Sequence, residues 1–486
     1  MEDSPLSTPE LAQLQCGACH QFPQPDLLDK TTWQNDVLPK MGYMMGFRSL
    51  HSSMEHQFIE GDLGTQLIDE AKAFHMEPIL SEADWQRIQE WYINSAPEQL
   101  EEKTSSKTIT ALDLFEVSIP EQRFSPPGSA LVHFMDNGKI MVGDMQKGLL
   151  LQYDDQLQFL KEARVGEGAV HLTERPDALW LTVMGNFLAS DLPSGYLLKF
   201  PKDSNLLVDN PIKGLNRPVH SLFGDVNNDG REDVIIAEYG KWLGGLSWWE
   251  NLGGRFEKHP ISTLTGAISS YLYDFNQDGL MDVIALFGQG REGIHIFYQQ
   301  NDGSFKDEEV LSFHPSMGSS FFQVYDFNKD GHMDILYTAG DNADYKSINK
   351  PYQGIYIFEN DGNNQFNQTF FHPLHGAYKA IPEDFDQDGD LDLAVISFFP
   401  DYKNQPEESF VYLENQGNWT FQAKTFENPQ MGRWISMDIG DPDKDGDMDL
   451  TLGSLAFEIP DADLKHIQNE WLKNGIHFIL LRNTTQ

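Results

Sequence analysis

The sequence predicts a multidomain chain in which a small all-α unit is followed by an all-β ring of seven four-stranded blades. Three observations predict it. One acidic nine-residue element recurs five times from residue 225 onward, strand-like runs follow every copy, and the first hundred residues carry helical periodicity together with both cysteines. At 486 residues the chain exceeds the usual size of one hydrophobic core. The boundary falls near residue 105, giving units 1–105 and 106–486.

Charge narrows the function classes first. Against 34 basic residues stand 75 acidic ones, a net charge of -41, which excludes nucleic acids and other polyanions as partners. Hydrophobic residues make up 40% of the chain, a globular composition, and no stretch has the apolar length of a membrane span. The opening MEDSPLSTPE lacks the basic start and apolar core of a secretory signal, so a trimmed or processed form is expected. The acidic surplus has two readings, a repelling surface or carboxylates gathered around cations.

Its distribution favours cations. The copies are DVNNDGRED at 225–233, DFNQDGLMD at 274–282, DFNKDGHMD at 326–334, DFDQDGDLD at 384–392 and DPDKDGDMD at 441–449. Calcium takes six to eight oxygens, and each copy offers them at its first, third and fifth positions: Asp225, Asn227, Asp229; Asp274, Asn276, Asp278; Asp326, Asn328, Asp330; Asp384, Asp386, Asp388; Asp441, Asp443, Asp445. Glycine at the sixth position permits a sharp turn. The seventh residue lends its backbone carbonyl, so its side chain varies: Arg231, Leu280, His332, Asp390, Asp447. The ninth, Asp233, Asp282, Asp334, Asp392 or Asp449, closes the shell. Up to five calcium ions are expected. Asp-Gly and Asn-Gly pairs also make metal-free hairpin turns, a reading that suits one copy better than five complete ones.

Spacings of 49, 52, 58 and 57 residues fit a four-stranded blade with variable loops. Later strands repeat too, as LSWWENLGGRF, IHIFYQQNDGSF, IYIFENDGNNQF, FVYLENQGNWTF and HFILLRNTTQ, each with an asparagine or glutamine turn. The last stops where the others continue into an outer strand, so residues 110–119 are expected to complete that blade. Two further strand-rich segments without acidic loops bring the count to seven. His171, Arg217, His220, Lys379 and Arg433 fall ahead of loops on innermost strands, where they either bind a ligand or are solvated at the funnel mouth. No nucleophile with a paired base is evident, and no catalytic residue is assigned.

In the amino-terminal unit, Trp85, Ile88 and Tyr92 are spaced for one helical face, with Ser81 as cap. Cys16-Gly17-Ala18-Cys19-His20 matches C-x-x-C-H, the attachment sequence for one covalent haem c, with His20 as proximal ligand. A disulfide would close too short a loop to gain much, and a zinc site lacks further cysteines. For the distal ligand the reading takes Met41, with Met76 as alternative and His51, His56 or His75 as bis-histidine options. Met44, Met45 and Met54 are expected to pack around the porphyrin.

Residues 215–486 resemble the FG-GAP or VCBS repeat family, whose calcium loops occur in the integrin α-subunit propeller and in bacterial surface proteins. Residues 10–100 resemble class I c-type cytochrome domains, including those fused to repeat propellers. The resemblance implies haem attachment outside the cytoplasmic membrane, hence an extracytoplasmic location in the periplasm or at the cell surface, with the acidic start compatible with a lipid anchor. The function expected is electron carriage, with the propeller docking a redox partner protein or ligand. Two alternatives stand beside it: an oxidoreductase binding a sugar-like substrate in the funnel, and a surface adhesion or carbohydrate-binding protein.

Overall fold

The runs that follow the five acidic loops, DVIIAE, DVIALF, DILYTA, DLAVIS and DLTLGS, are buried at every position. Apolar, often β-branched side chains on both faces suit a strand enclosed between neighbours. In the computed structural model, which describes residues 3–58, 61–101, 108–202, 209–343, 348–417, 419–456 and 462–485, each is the second strand of a four-stranded antiparallel sheet. There are seven such sheets, one of which gains a fifth strand. Blades 1 and 2 begin at Ser129–Phe134 and Ala169–Glu174; blades 3 to 7 begin at Pro218–Gly224, Ala267–Tyr273, Ser319–Tyr325, Ala377–Glu383 and Trp434–Gly440. Outer strands such as Phe159–Arg164 are solvated.

The ring closes as the sequence requires. Phe115–Ser118 pairs antiparallel with Phe478–Asn483 and supplies the outer strand of blade 7. Phe115 lies edge-on to Phe385 and Tyr412 of blade 6. Just before it, Ile109–Thr110 adds a fifth, parallel strand to blade 6, a pairing that two residues give no periodicity to foretell. Between blades 7 and 1, Phe478 and Leu480 pack with Val132, Ile140 and Leu151, and Tyr153 hydrogen-bonds His477 Nε2 at 3.0 Å.

Each ninth-position aspartate works as a latch. Asp282 is fully buried; its Oδ2 accepts Phe275 N at 3.0 Å and its Oδ1 accepts Gln299 N at 2.9 Å, tying the acidic loop to the third strand. Asp233 and Asp334 make the same pair of bonds. The asparagine turns have their reason here, since Asn251, Asn360, Asn415 and Asn483 donate from Nδ2 to the carbonyl just before that aspartate. Adjacent blades are clasped by Gln299 on Val226 O, Asn364 on Phe275 O and Asn483 on Phe385 O.

In the helical unit, Thr8–Cys16 packs on Glu82–Ser95, where Trp85, Ile88 and Tyr92 are buried and Ser81 Oγ accepts Asp84 N, as expected. Residues 30–44 are helical with a π segment at Trp33–Val37. Pro39 has no N–H to return to Asn35, and its ring crowds that carbonyl; Leu38 N bonds instead to Trp33 O five residues back.

This unit sits on the connections between second and third strands of blades 3, 4 and 5. Trp242 stacks on Phe58 with centroids 5.1 Å apart and meets Phe74 edge-on, beside Tyr43 and Ile68. Its turn is fixed by Asp191 of blade 2, whose carboxylate accepts the backbone N–H groups of Lys241, Trp242 and Leu243. Arg291 donates to Cys19 O at 3.2 Å and Tyr352 to Leu27 O at 2.8 Å. Because connections alternate ends in an antiparallel sheet, the helices and the acidic loops lie on opposite faces of the ring.

Two outcomes follow. Asp282→Ala strands two buried N–H groups and should cost about 2–5 kcal/mol in urea unfolding with chelator present; an unchanged midpoint would refute the latch. Burial, with the Arg123 and Lys147 charges adding, pushes His477 down to about 3. Its unfolded ring titrates near 6.5, so its contribution is complete above that pH and lost as pH falls toward 3. Stability of a His477→Gln variant should therefore decline less steeply than wild type across this window, and coincident slopes would contradict it.

Candidate functional site

The helix that carries the first cysteine starts at a capping box: Ser7 N donates to Glu10 Oε2 at 3.0 Å. Leu11 and Ala12 bury it against the Trp85 helix. It ends at Gly17, whose N–H returns to Gln13 O. That helix leaves Cys16 half-buried in the apolar cluster, while Cys19 is exposed; both are free thiols. Burial pushes the Cys16 thiol up to about 11. His20 Nδ1 lies 3.0 Å from Gln21 O. A carbonyl only accepts, so Nδ1 carries the proton and Nε2 presents its lone pair, the tautomer of a metal-ligating imidazole.

Met41 packs against the same cluster as Cys16, with Phe22, Met45 and Trp91 beside Trp33 and Tyr92. Met76 is 60% exposed. His51 Nε2 accepts Trp85 Nε1 at 3.1 Å, His56 Nδ1 donates to Ser53 O, and His75 is exposed. The His51 ring fills the space a side chain on Gly42 would take, 2.3 Å from that Cβ position. The structure thus packs Cys16 and Met41 against one apolar cluster and leaves the other ligand options engaged or exposed. Met44 and Met54 differ from expectation: they pack in the second cluster, the one Trp242 completes, and only Met45 joins Cys16. That cluster is an interdomain contact, which helix periodicity within one unit does not reveal.

In four of the acidic loops the first aspartate accepts two backbone N–H groups, as Asp274 does from Asp278 and Gly279 at 3.0 and 2.9 Å; in blade 6 Asp384 accepts one, from Gly389. The fifth accepts from the seventh, as Asp278 does from Leu280 at 2.8 Å. Besides the glycine, the fourth residue is left-handed in every copy, with φ of 58°, 59°, 59°, 58° and 64° at Asn228, Gln277, Lys329, Gln387 and Lys444. Only the asparagine signals this; Gln and Lys at that position carry no turn preference.

The loops differ in how well they suit a cation. In blade 6, Asp384, Asp386 and Asp388 bring carboxylate oxygens within 4.8 Å of one another, and in blade 7 Asp441, Asp443 and Asp445 do the same. Buried oxygens of Asp384, Asp390 and Asp447 have no protein partner. A hard dication would satisfy oxygens that otherwise repel one another. In blades 4 and 5 an amide replaces the third carboxylate, and Asn276 and Asn328 turn their Nδ2 onto Asp278 and Asp330. In blade 3 the Arg231 guanidinium lies on Asp229 and also donates to Asn251 O, so this loop carries a cation of its own.

Of the funnel residues, His171 and His220 meet with ring centroids 4.4 Å apart, and Lys379 Nζ donates to Met437 O. Arg433 is buried elsewhere, its guanidinium 3.8 Å over the Phe398 ring, and Arg217 takes a left-handed turn, φ 52°, at the strand entrance. Sequence reasoning missed His133 and Asp438, paired at 3.1 Å across blades 1 and 7; only the closed ring makes them neighbours. An apolar cluster of Met145, Met184, Phe398 and Leu455 lies at the end of the ring opposite the acidic loops.

FG-GAP-like repeats match residues 225–285, 274–337 and 384–451. No curated protein matches the chain. Among solved structures, an ancestral GH74 enzyme is similar at 12% identity and TM-score 0.46 over 81% of this chain, which spans only 53% of that enzyme. YCF48 bound to D1 peptide is similar at 11% identity and TM-score 0.45, over 79% of this chain and 100% of that one. Saccharomyces cerevisiae Sqt1 gives 11% and 0.40, over 75% and 83%. With seven sheets in the ring and FG-GAP-like repeat matches from residue 225 onward, the chain carries a seven-bladed β-propeller with FG-GAP-like repeats, joined to a small helical unit.

Proposed function

We propose that the protein is an exported monohaem c-type cytochrome that carries electrons, with a calcium-stabilised propeller that holds the carrier unit and docks a redox partner. The observation that carries this reading is the setting of Cys16-Gly17-Ala18-Cys19-His20. Two free thiols on one turn stand beside an imidazole whose Nε2 lone pair is presented, and Met41 packs in the cluster that holds Cys16. When bound, haem supplies a one-electron couple whose potential is raised by a thioether ligand. Cys16 and Cys19 would tether it, His20 and Met41 would ligate it, and Phe22, Trp33, Trp91 and Tyr92 would keep water from that side. Arg291 and Tyr352 hold this segment to the propeller by its backbone carbonyls.

For calcium, the donor sets favour blades 6 and 7, then 4 and 5, with the Arg231-occupied loop of blade 3 last. Calcium levels outside the cell suit such surface loops. Both cofactors support an extracytoplasmic location.

Protein matured with the haem-attachment machinery should keep its haem after denaturation, and a Cys16→Ala/Cys19→Ala variant should lose it. Met41→Ala should abolish the long-wavelength thioether-to-iron band and lower the reduction potential, whereas Met76→Ala should change neither. Denatured protein free of haem would overturn the reading. Calcium at 100 times its Kd should add about 2.7 kcal/mol per occupied site. Asp386→Asn should reverse sign with conditions, raising Tm in chelator by relieving repulsion and lowering it in calcium. A Tm indifferent to chelator and to calcium would remove the calcium part.

A further inference from the structure

The channel inverts the composition of the chain. With acidic residues outnumbering basic ones by more than two to one overall, the inner strands nevertheless bring His133, His171, His220 and Lys379 within electrostatic reach of one another, with Asp438 beside His133. The fold explains the convergence. Every inner strand has a register shift after its first residue, and His171, His220 and Lys379 hold the equivalent position past it in blades 2, 3 and 6.

These groups are poorly served by the protein itself. Asp438 is committed, its Oδ2 accepting His133 Nδ1 at 3.1 Å and Phe134 N at 2.9 Å. Lys379 Nζ makes one hydrogen bond, 2.8 Å to Met437 O, and lies 5.2 Å from the Phe321 ring centre. Ser221 N donates to His171 Nδ1 at 3.4 Å, so the His171 proton sits on Nε2. His220 Nδ1 and His133 Nε2 are buried with no partner, and neither His171 nor His220 has a protein partner for Nε2 among the described residues. Burial disfavours the charged forms of His171, His220 and Lys379, and the Lys379 charge opposes protonation of both rings. The four side chains are half-buried rather than fully enclosed, and gathering such donors with buried, unpartnered ring nitrogens is unfavourable unless something of opposite charge completes the set. A metal ion does not suit it, because the Lys379 ammonium would repel it.

We propose that this chamber binds one small oxyanion, a carboxylate or an inorganic tetrahedral anion, held by Lys379 Nζ and the His171 and His220 rings. The site is independent of the haem reading and of the acidic loops, which lie at the far ends of the first strands.

Calorimetric titration of the calcium-loaded full chain with sodium sulfate and with sodium acetate, against sodium chloride at matched ionic strength, tests it. One saturable site per chain is expected for at least one of the two, and which one distinguishes inorganic from carboxylate ligands. Lys379→Met and His220→Gln should each weaken binding at least tenfold, whereas Lys306→Met, at an exposed site, should leave it intact. If Lys379→Met does not fold, His220→Gln decides. Absence of saturable binding, binding indifferent to the channel variants, or loss in the Lys306 variant would overturn the proposal. So would tight zinc binding that needs both histidines and not Lys379.

Discussion

Pairing of Phe115–Ser118 with Phe478–Asn483 is the contact on which the rest of the molecule depends. A propeller has no unpaired inner edge only if its last blade is complete, and here the missing strand arrives from the other end of the sequence. The same segment is the exit from the helical unit, so the chain that closes the ring also tethers the helices. Opening blade 7 would expose the Phe478 and Leu480 contact with blade 1 and release the anchor of the helical unit together.

The second constraint is electrostatic. A net charge of -41 repels itself, and seventeen of the carboxylates stand at the first, third, fifth and ninth loop positions. The fold handles them in three ways. Ninth-position aspartates accept backbone N–H groups inside the blades, whereas the clustered carboxylates of blades 6 and 7 include oxygens with no protein partner. Arg231 shows a third way, a guanidinium folded onto its own loop.

Much of this was legible in the sequence because it repeats. Five loops at blade spacing announced the ring, and the truncated last repeat announced its closure. Local chemistry was legible as well, as the Ser81 cap and the Trp85, Ile88, Tyr92 face show. What stayed hidden depends on distance in the chain. Trp242 reads as one more aromatic in a turn until Phe58 and Phe74 are beside it; His133 and Asp438 meet only when blade 7 reaches blade 1. The latch role of the ninth aspartate was hidden for another reason, since a carboxylate that accepts N–H groups and one that binds a cation look the same as letters. Metal-free turns and metal sites share the Asp-Gly signal, and the partnerless oxygens of Asp384 and Asp447 are seen only in three dimensions.

The two faces of the ring obey different length rules. The five acidic connections span residues 225–232, 274–281, 326–333, 384–391 and 441–448, all of one length, whereas the connections on the opposite face run from the short 145–148 turn to the long 455–477 segment. Insertions are thus confined to the side that seats the helices, where Trp242, Arg291 and Tyr352 come from connections of unequal size. One face is a fixed template and the other an editable one, so the seat for the helical unit can be rebuilt or exchanged, by evolution or by design, without disturbing a single loop on the reverse.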